Sequence, residues 1–239
     1  MSTNAKPPEY PQIGVASTCR SYEEYEAMFS LKEVDWSNQI VLDVAGGASS
    51  FTAQVIAKGA RANAVDPFFA GLTEHVIEAA RREIDVSSGK IAANADAYDW
   101  SFYGSPERHR SIRLQSLERF AEDFRQDLAR ERYVAASLPH LPFADNQFSF
   151  IVCSHFLFLY ADQFGEEFHE NALRELLRVL APGGQLRIYP LVTLKWEYCE
   201  FIPNLIERLE GIAKFDFFPT KLPFMPIPSQ VLQVVKLAN

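Results

Sequence analysis

Short apolar runs alternate along the chain with longer segments whose apolar positions recur every three or four residues. Ile40 to Val44 is a compact apolar run ending at glycines, and a helix-like segment follows from about Ser50 to Lys58. Ala62 to Val65 is a second strand candidate ending at Asp66-Pro67, and Leu72 to Glu83 reads as a helix. Further strand candidates are Tyr133 to Ala136, Phe148 to Cys153 and Leu186 to Tyr189. Between the last two, Ala172, Leu173, Leu176, Leu177 and Leu180 keep helical spacing until Pro182-Gly183-Gly184, which is expected to stop the helix. Strands separated by helices imply a parallel sheet covered on both faces. Phe215 to Phe218 and Val231 to Leu237 leave no room between them for a crossover helix, so they are expected to pair antiparallel. The pattern predicts an α/β, three-layer Rossmann-like sandwich on a seven-stranded, mainly parallel sheet with a C-terminal antiparallel hairpin.

Two stretches lie outside this rhythm. Residues 1–33 read as an N-terminal arm, containing Pro7, Pro8 and Pro11, and a cap helix in which Ser21 and Glu24 form a capping box ahead of Tyr22, Tyr25 and Phe29. Residues 34–239 form the main domain, interrupted by a helical insert or lid at 85–132. Leu117, Phe120, Phe124 and Leu128 give the insert one apolar stripe that is expected to pack on the domain body, with Arg108, Arg110, Arg113 and Arg119 as a solvated face.

Composition narrows the class. With 239 residues, 48 % apolar and 23 % charged, the chain is a globular domain with additions rather than a disordered or repetitive one. A formal net charge of −8 disfavours nucleic acid as the main partner, since binding it requires neutralising phosphates. Cys19, Cys153 and Cys199 are widely spaced and form no paired motif, which suits reduced thiols in the cytoplasm. The first residues lack the layout of a signal peptide, and no apolar stretch approaches the roughly 18 residues of a membrane span, so no membrane partner is expected.

The chemistry concentrates in Val41-Leu42-Asp43-Val44-Ala45-Gly46-Gly47-Ala48-Ser49-Ser50-Phe51, with Asp66 ending the next strand. A buried strand turning tightly into a helix presents backbone N–H groups and the positive helix end, while small residues let a ligand approach the main chain. An acid at the end of the second strand can accept two hydrogen bonds from a ribose diol. These parts describe a nucleoside site.

In these residues the chain resembles the class I S-adenosylmethionine-dependent methyltransferases, in their type 11-like branch. Asp43 to Ser49 lies on that family's D-x-G-x-G-x-G motif, and Asp66 on its ribose-binding acid. Leu141 to Phe148 is similar to its L-P-F-x-D-x-x-F segment, and Ala172 to Gly184 to its helix ending in P-G-G. The resemblance implies S-adenosyl-L-methionine as cofactor and S-adenosyl-L-homocysteine as product. It implies a cofactor site at Asp43, Ala45, Gly46, Gly47, Ser49, Asp66, Pro67, Ser137, Leu138 and Ser154. Ala45 and Ser49 depart from the motif glycines, Ser137 stands where the family often has an acid, and Ser149 where it usually has Asp.

Methyl transfer from a sulfonium needs alignment first and a base only where the acceptor must lose a proton. The resemblance places acceptor contacts after the fourth strand, at Ser154, His155, Phe156 and Tyr160, and His155 is the candidate base or acceptor anchor. Tyr22, Tyr25, Tyr98 and Trp100 are candidates for an aromatic wall around the acceptor. No ligand-type pairing among the five histidines points to a metal. The expected activity is methylation of a small molecule. An NAD-dependent oxidoreductase uses the same strand, turn and acid, but not the terminal hairpin or the P-G-G segment. A non-catalytic module of the same fold remains the third reading.

Overall fold

The protein is described by a computed structural model covering residues 9–12, 14–126 and 128–238; Pro7 and Pro8 of the expected arm lie outside these. Seven strands form one sheet: β1 (Ile40–Val44), β2 (Arg61–Val65), β3 (Tyr133–Val134), β4 (Phe148–Ser154), β5 (Leu180–Tyr189), β6 (Ala213–Pro219) and β7 (Gln230–Lys236). Their order is β3-β2-β1-β4-β5-β7-β6. The first five are mutually parallel, and β7 pairs antiparallel with both β5 and β6. The chain order reverses direction between β1 and β4, so their carboxyl ends open a crevice where ligands bind in sheets of this kind.

The alternation of strands and helices is as the periodicity predicts: α2 (Phe51–Ala57), α3 (Thr73–Ala92), α6 (Ala161–Val179) and α7 (Ile202–Leu209) connect the strands. β1 and β4 are buried on both faces, which explains their unbroken apolar runs. Leu42, Ile151 and Leu186 pack under Leu173, Leu176 and Leu177 of α6. Val41, Phe150 and Val152 pack on the opposite face against Phe51 and Val55.

The same face carries the N-terminal helix α1 (Tyr22–Phe29). Its capping box forms as expected, the Ser21 N–H donating to Glu24 Oε2 at 2.8 Å and the Glu24 N–H to Ser21 Oγ at 3.3 Å. Met28 and Phe29 of this helix are fully buried, so α1 is part of the core.

Some boundaries move. α3 runs past Glu83 to Ala92, so the insert begins as a continuation of this helix, and α4 (Pro106–Phe124) folds back along it. Leu117, Phe120 and Phe124 are buried against Val76, Ile77 and Ala80 of α3, whereas Leu128 is 61 % exposed just before the one-turn α5 (Ala129–Arg132). Arg110 and Arg119 are solvated and paired with Asp85 and Glu23, but Arg113 turns inward and is buried. β3 is only two residues long.

Pro182-Gly183-Gly184 does not end the helix. α6 stops at Val179, and β5 begins at once, with Leu180 beside Phe148. The ladder resumes at Gln185 beside Phe150, so the intervening residues form a bulge. Gly183 has φ +75°, and a Cβ on Gly184 would lie 2.8 Å from the Ala181 carbonyl oxygen. The bulge favours glycine at 183 for its left-handed backbone and at 184 for lack of space.

Candidate active site

At the end of β1 the chain makes two left-handed residues, Ala45 at φ +53° and Gly47 at φ +52°. Between them, Gly46 lies over the buried Asp43, whose Oδ2 would be 2.8 Å from a Cβ placed there. Asp43 accepts from the Tyr25 hydroxyl at 3.1 Å, and burial pushes its carboxyl well above the usual range. It supports the turn from beneath. Ser49 Oγ accepts from the Phe51 N–H at 3.0 Å, satisfying a first-turn donor of α2 in place of the third motif glycine.

Asp66 directly follows β2 and faces the turn. Its Oδ2 accepts from the Gly47 N–H at 3.0 Å, and its Oδ1 from the Phe68 N–H at 2.9 Å. Burial raises its pKa, against the lowering effect of these two bonds. A carboxylate has about four acceptor sites, so the two backbone donors leave room for a ribose diol. Asp66, Ala45, Pro67, Ser137 and Leu138 all line one cavity of about 410 Å³, together with Phe156. This volume is within the range of sites for small cofactors. The expected nucleoside residues are thus brought together, although Asp43, Gly46, Gly47, Ser49 and Ser154 frame the cavity rather than line it.

The arm closes over the turn. A Cβ on Gly47 would meet Ser17 Oγ at 2.8 Å and the Thr18 carbonyl oxygen at 2.8 Å. Ala16 and Ser17 form a wall shared with a second cavity of about 100 Å³, which lies over the ends of β4 and β5. His155, Tyr160 and Tyr98, three of the acceptor candidates, line this second cavity. The Tyr160 hydroxyl accepts from the Ala16 N–H at 3.0 Å, holding the shared wall in place.

His155 leaves β4 at φ +53°, and its N–H donates to the Tyr189 carbonyl. Its Nδ1 lies 3.0 Å from Ser154 Oγ, which is 3.6 Å from Met28 Sδ. A thioether can only accept, so the arrangement satisfying both contacts puts the ring proton on Nδ1 and the lone pair on Nε2. Burial holds the His155 pKa well below its ordinary value, and Arg20 and Arg113 push it further in that direction. At neutral pH the ring is therefore neutral with its Nε2 lone pair bare, and it becomes a stronger base where an anion neutralises the guanidinium groups of Arg20 and Arg113.

Four expected acceptor residues lie elsewhere. Tyr22 stacks on Phe51 with its hydroxyl accepting from Trp36 Nε1, and Tyr25 is held on Asp43. Both are core residues, because α1 packs on the sheet rather than over the crevice. Trp100 stands behind the wall, edge-on to Tyr98, His109 and Phe224. Phe156 lines the larger cavity with Asp66 instead.

Ser149, at the family's Asp position, bonds Gln39 Oε1 at 2.6 Å and the Ile40 N–H, and so ties the start of β1 to β4. His169 is bonded to the Leu157 carbonyl, so it is held structurally. Among the described residues, no three His, Cys, Asp or Glu side chains come close enough to hold a metal.

The composition and motifs did not single out the buried charges of the second cavity. Glu24 is fully buried and takes hydrogen bonds from Tyr103, Arg113 and the Ser21 N–H. Arg20 lies beside it, with Nη1 3.7 Å from Glu24 Oε1. The pair Arg20 and Glu24 is visible as an i, i+4 spacing, but Arg113 arrives from α4, and only the fold reveals it.

The profile of the family described as "Methyltransferase domain" matches residues 107–188, which run from α4 through β5 and leave out the glycine turn. An uncharacterized protein of Methanocaldococcus jannaschii is 28 % identical over 200 residues, covering 83 % of this chain and 88 % of that one. The ubiquinone/menaquinone biosynthesis C-methyltransferase of Haemophilus ducreyi is 34 % identical over 87 residues, covering 36 % of this chain and 29 % of that enzyme. A crystal structure assigned as an S-adenosyl-L-methionine-dependent methyltransferase of Methanococcus maripaludis superposes with a TM-score of 0.50 at 14 % identity, covering 91 % and 86 % of the two chains. That likeness is one of fold.

Proposed function

We propose that this chain, an S-adenosylmethionine-dependent methyltransferase of the class I fold, transfers its methyl group to a small-molecule acceptor seated beside His155. The observation that carries the proposal is the pair of cavities sharing the Ala16–Ser17 wall, one against the glycine turn and Asp66, the other reached by His155. In this reading Asp66 accepts from the ribose, Ala45, Pro67, Ser137 and Leu138 enclose the nucleoside, and Asp43 and Ser49 hold the turn. The cofactor, when bound, supplies the activated methyl group.

The protein's part is alignment and proton removal. Fixing the acceptor against the reacting carbon can contribute about 7 to 11 kcal/mol to lowering the barrier. His155, neutral and with Nε2 free, takes the proton of an acceptor hydroxyl or amine. A small acceptor suits the site because the arm, α3 and α4 wall in a cavity of only about 100 Å³. The net charge of −8 also weighs against nucleic acid. Three free, buried cysteines suit a cytoplasmic location, and among the described residues no helix is long and apolar enough to cross a membrane.

The test is incubation with methyl-labelled S-adenosylmethionine and a fractionated cell extract. Label should appear in the low-molecular-mass fraction and depend on the chain. Label confined to the protein or nucleic-acid fraction would contradict a small acceptor.

A further inference from the structure

The second cavity holds more hydrogen-bond donors than the protein satisfies. Arg20 is 8 % exposed, and among the described residues its Nε and Nη1 have no hydrogen-bond partner. Its nearest acid, Glu24, is already engaged by Tyr103, Arg113 and the Ser21 N–H, so one glutamate faces two buried guanidinium groups. A buried cation without a counterion is costly and persists where something else completes it.

Two further side chains face the same space. His109 Nε2 lies 3.2 Å from Arg113 Nη2. A guanidinium only donates, so Nε2 holds the lone pair and Nδ1 carries the proton. That Nδ1–H is buried and without a partner, as is Ser17 Oγ. Arg20, His109 and Ser17 come from the arm and from α4, and all three line the cavity that His155 enters. Around them the wall is apolar, with Ile84, Ile91 and Leu159 on one side and the stacked rings of Tyr98 and Phe224 on the other.

Resting on the function proposed above, we infer that the acceptor is a small apolar or aromatic carboxylic acid, whose carboxylate is received by Arg20, His109 Nδ1–H and Ser17. A carboxylate presents about four acceptor sites to these donors, and its single charge equals the one uncompensated cation of the Arg20–Glu24–Arg113 cluster. The group that accepts the methyl lies at the other end of the molecule, where His155 can take its proton. The methionine carboxylate of the cofactor has the same chemistry. The acceptor is favoured because Arg20 and His109 line the cavity of His155 and not the other, with Ser17 in the wall between, whereas Asp66, Ala45 and Ser137 line the other.

Calorimetry with the full chain saturated by S-adenosylhomocysteine separates the two sources. The probes are benzoate and 3-phenylpropanoate, each beside its uncharged amide. At least one acid should bind tenfold or more tightly than its amide. In Arg20→Gln that preference should vanish, while affinity for S-adenosylhomocysteine stays within threefold and the melting temperature does not fall. His109→Phe keeps the stacking on Phe224 and removes the Nδ1–H donor together with the Nε2 acceptor of Arg113, so it should weaken the acid three- to tenfold and leave the amide unchanged.

The inference is overturned if neither acid binds at 10 mM, a concentration set by the assay, or if acid and amide bind alike. It is also overturned if Arg20→Gln weakens S-adenosylhomocysteine tenfold and leaves the acid unaffected, which assigns the cation to the cofactor. Failure of S-adenosylhomocysteine to bind the wild type is a different result. It removes the function proposed above, while the preference for acid over amide is still measured on the chain without it.

Discussion

His155 is where local backbone and chemistry meet. A left-handed residue at the end of a buried strand turns its ring from the sheet into the cavity, and Ser154 fixes which nitrogen is bare. His155→Gln keeps a polar side chain but cannot take up a proton, so turnover should fall about 100-fold or more, with S-adenosylhomocysteine affinity nearly unchanged. Single-turnover methyl transfer read beside calorimetry checks both halves. His109 gives a second prediction, in stability. Its pKa is pushed down to about 3 by burial and by Arg113, against an unfolded value of about 6.5. The native state therefore holds the neutral form, and its stabilisation is present above pH 6.5 and lost as pH falls toward 3. Asp43 and Asp66, whose pKa values are raised, act in the opposite direction and gain native stability on protonation. Comparing wild type with His109→Phe cancels the carboxyl contribution. Between pH 7.5 and 5.5 the wild type should lose on the order of 1 kcal/mol more than the variant in urea unfolding; equal losses would contradict the assignment.

At the scale of elements, the arm and the glycine turn act as one unit. Gly47 has positive φ and touches Ser17 and Thr18, so Gly47→Ala strains the turn and lifts the arm together. It should destabilise by about 1 to 3 kcal/mol and weaken S-adenosylhomocysteine at least threefold, both read from unfolding curves with and without ligand. The strands and the turn were legible in the sequence because their signals are local: apolar runs, glycines at the strand end and a capping box. The role of Pro182-Gly183-Gly184 was not, because a bulge and a helix stop use the same residues and only pairing with Phe148 and Phe150 distinguishes them. Tyr22 and Tyr25 misled for a similar reason. Their spacing marks an apolar helix face, and the sequence does not say which surface that face covers. Arg20 and Arg113 were hidden in the same way, since each reads as a surface charge until α4 folds onto the arm.

At the scale of the molecule, the terminal β7–β6 pair and the order β3-β2-β1-β4-β5-β7-β6 complete the class I fold, and the additions convert its open crevice into two adjoining cavities. The scaffold lines the cavity at Asp66, while the arm and α4 contribute the unpartnered donors that, among the described residues, line the cavity at His155. The central claim is that the cavity at Asp66 binds the methyl donor, and isothermal titration with S-adenosylhomocysteine tests it most directly. The account predicts one site per chain, lost in Asp66→Ala. At a hundredfold excess over the dissociation constant, the ligand should stabilise by about 2.7 kcal/mol, or roughly 5 to 10 °C in melting temperature for a chain of this size. No heat and no shift at millimolar ligand, with the protein folded, would contradict it.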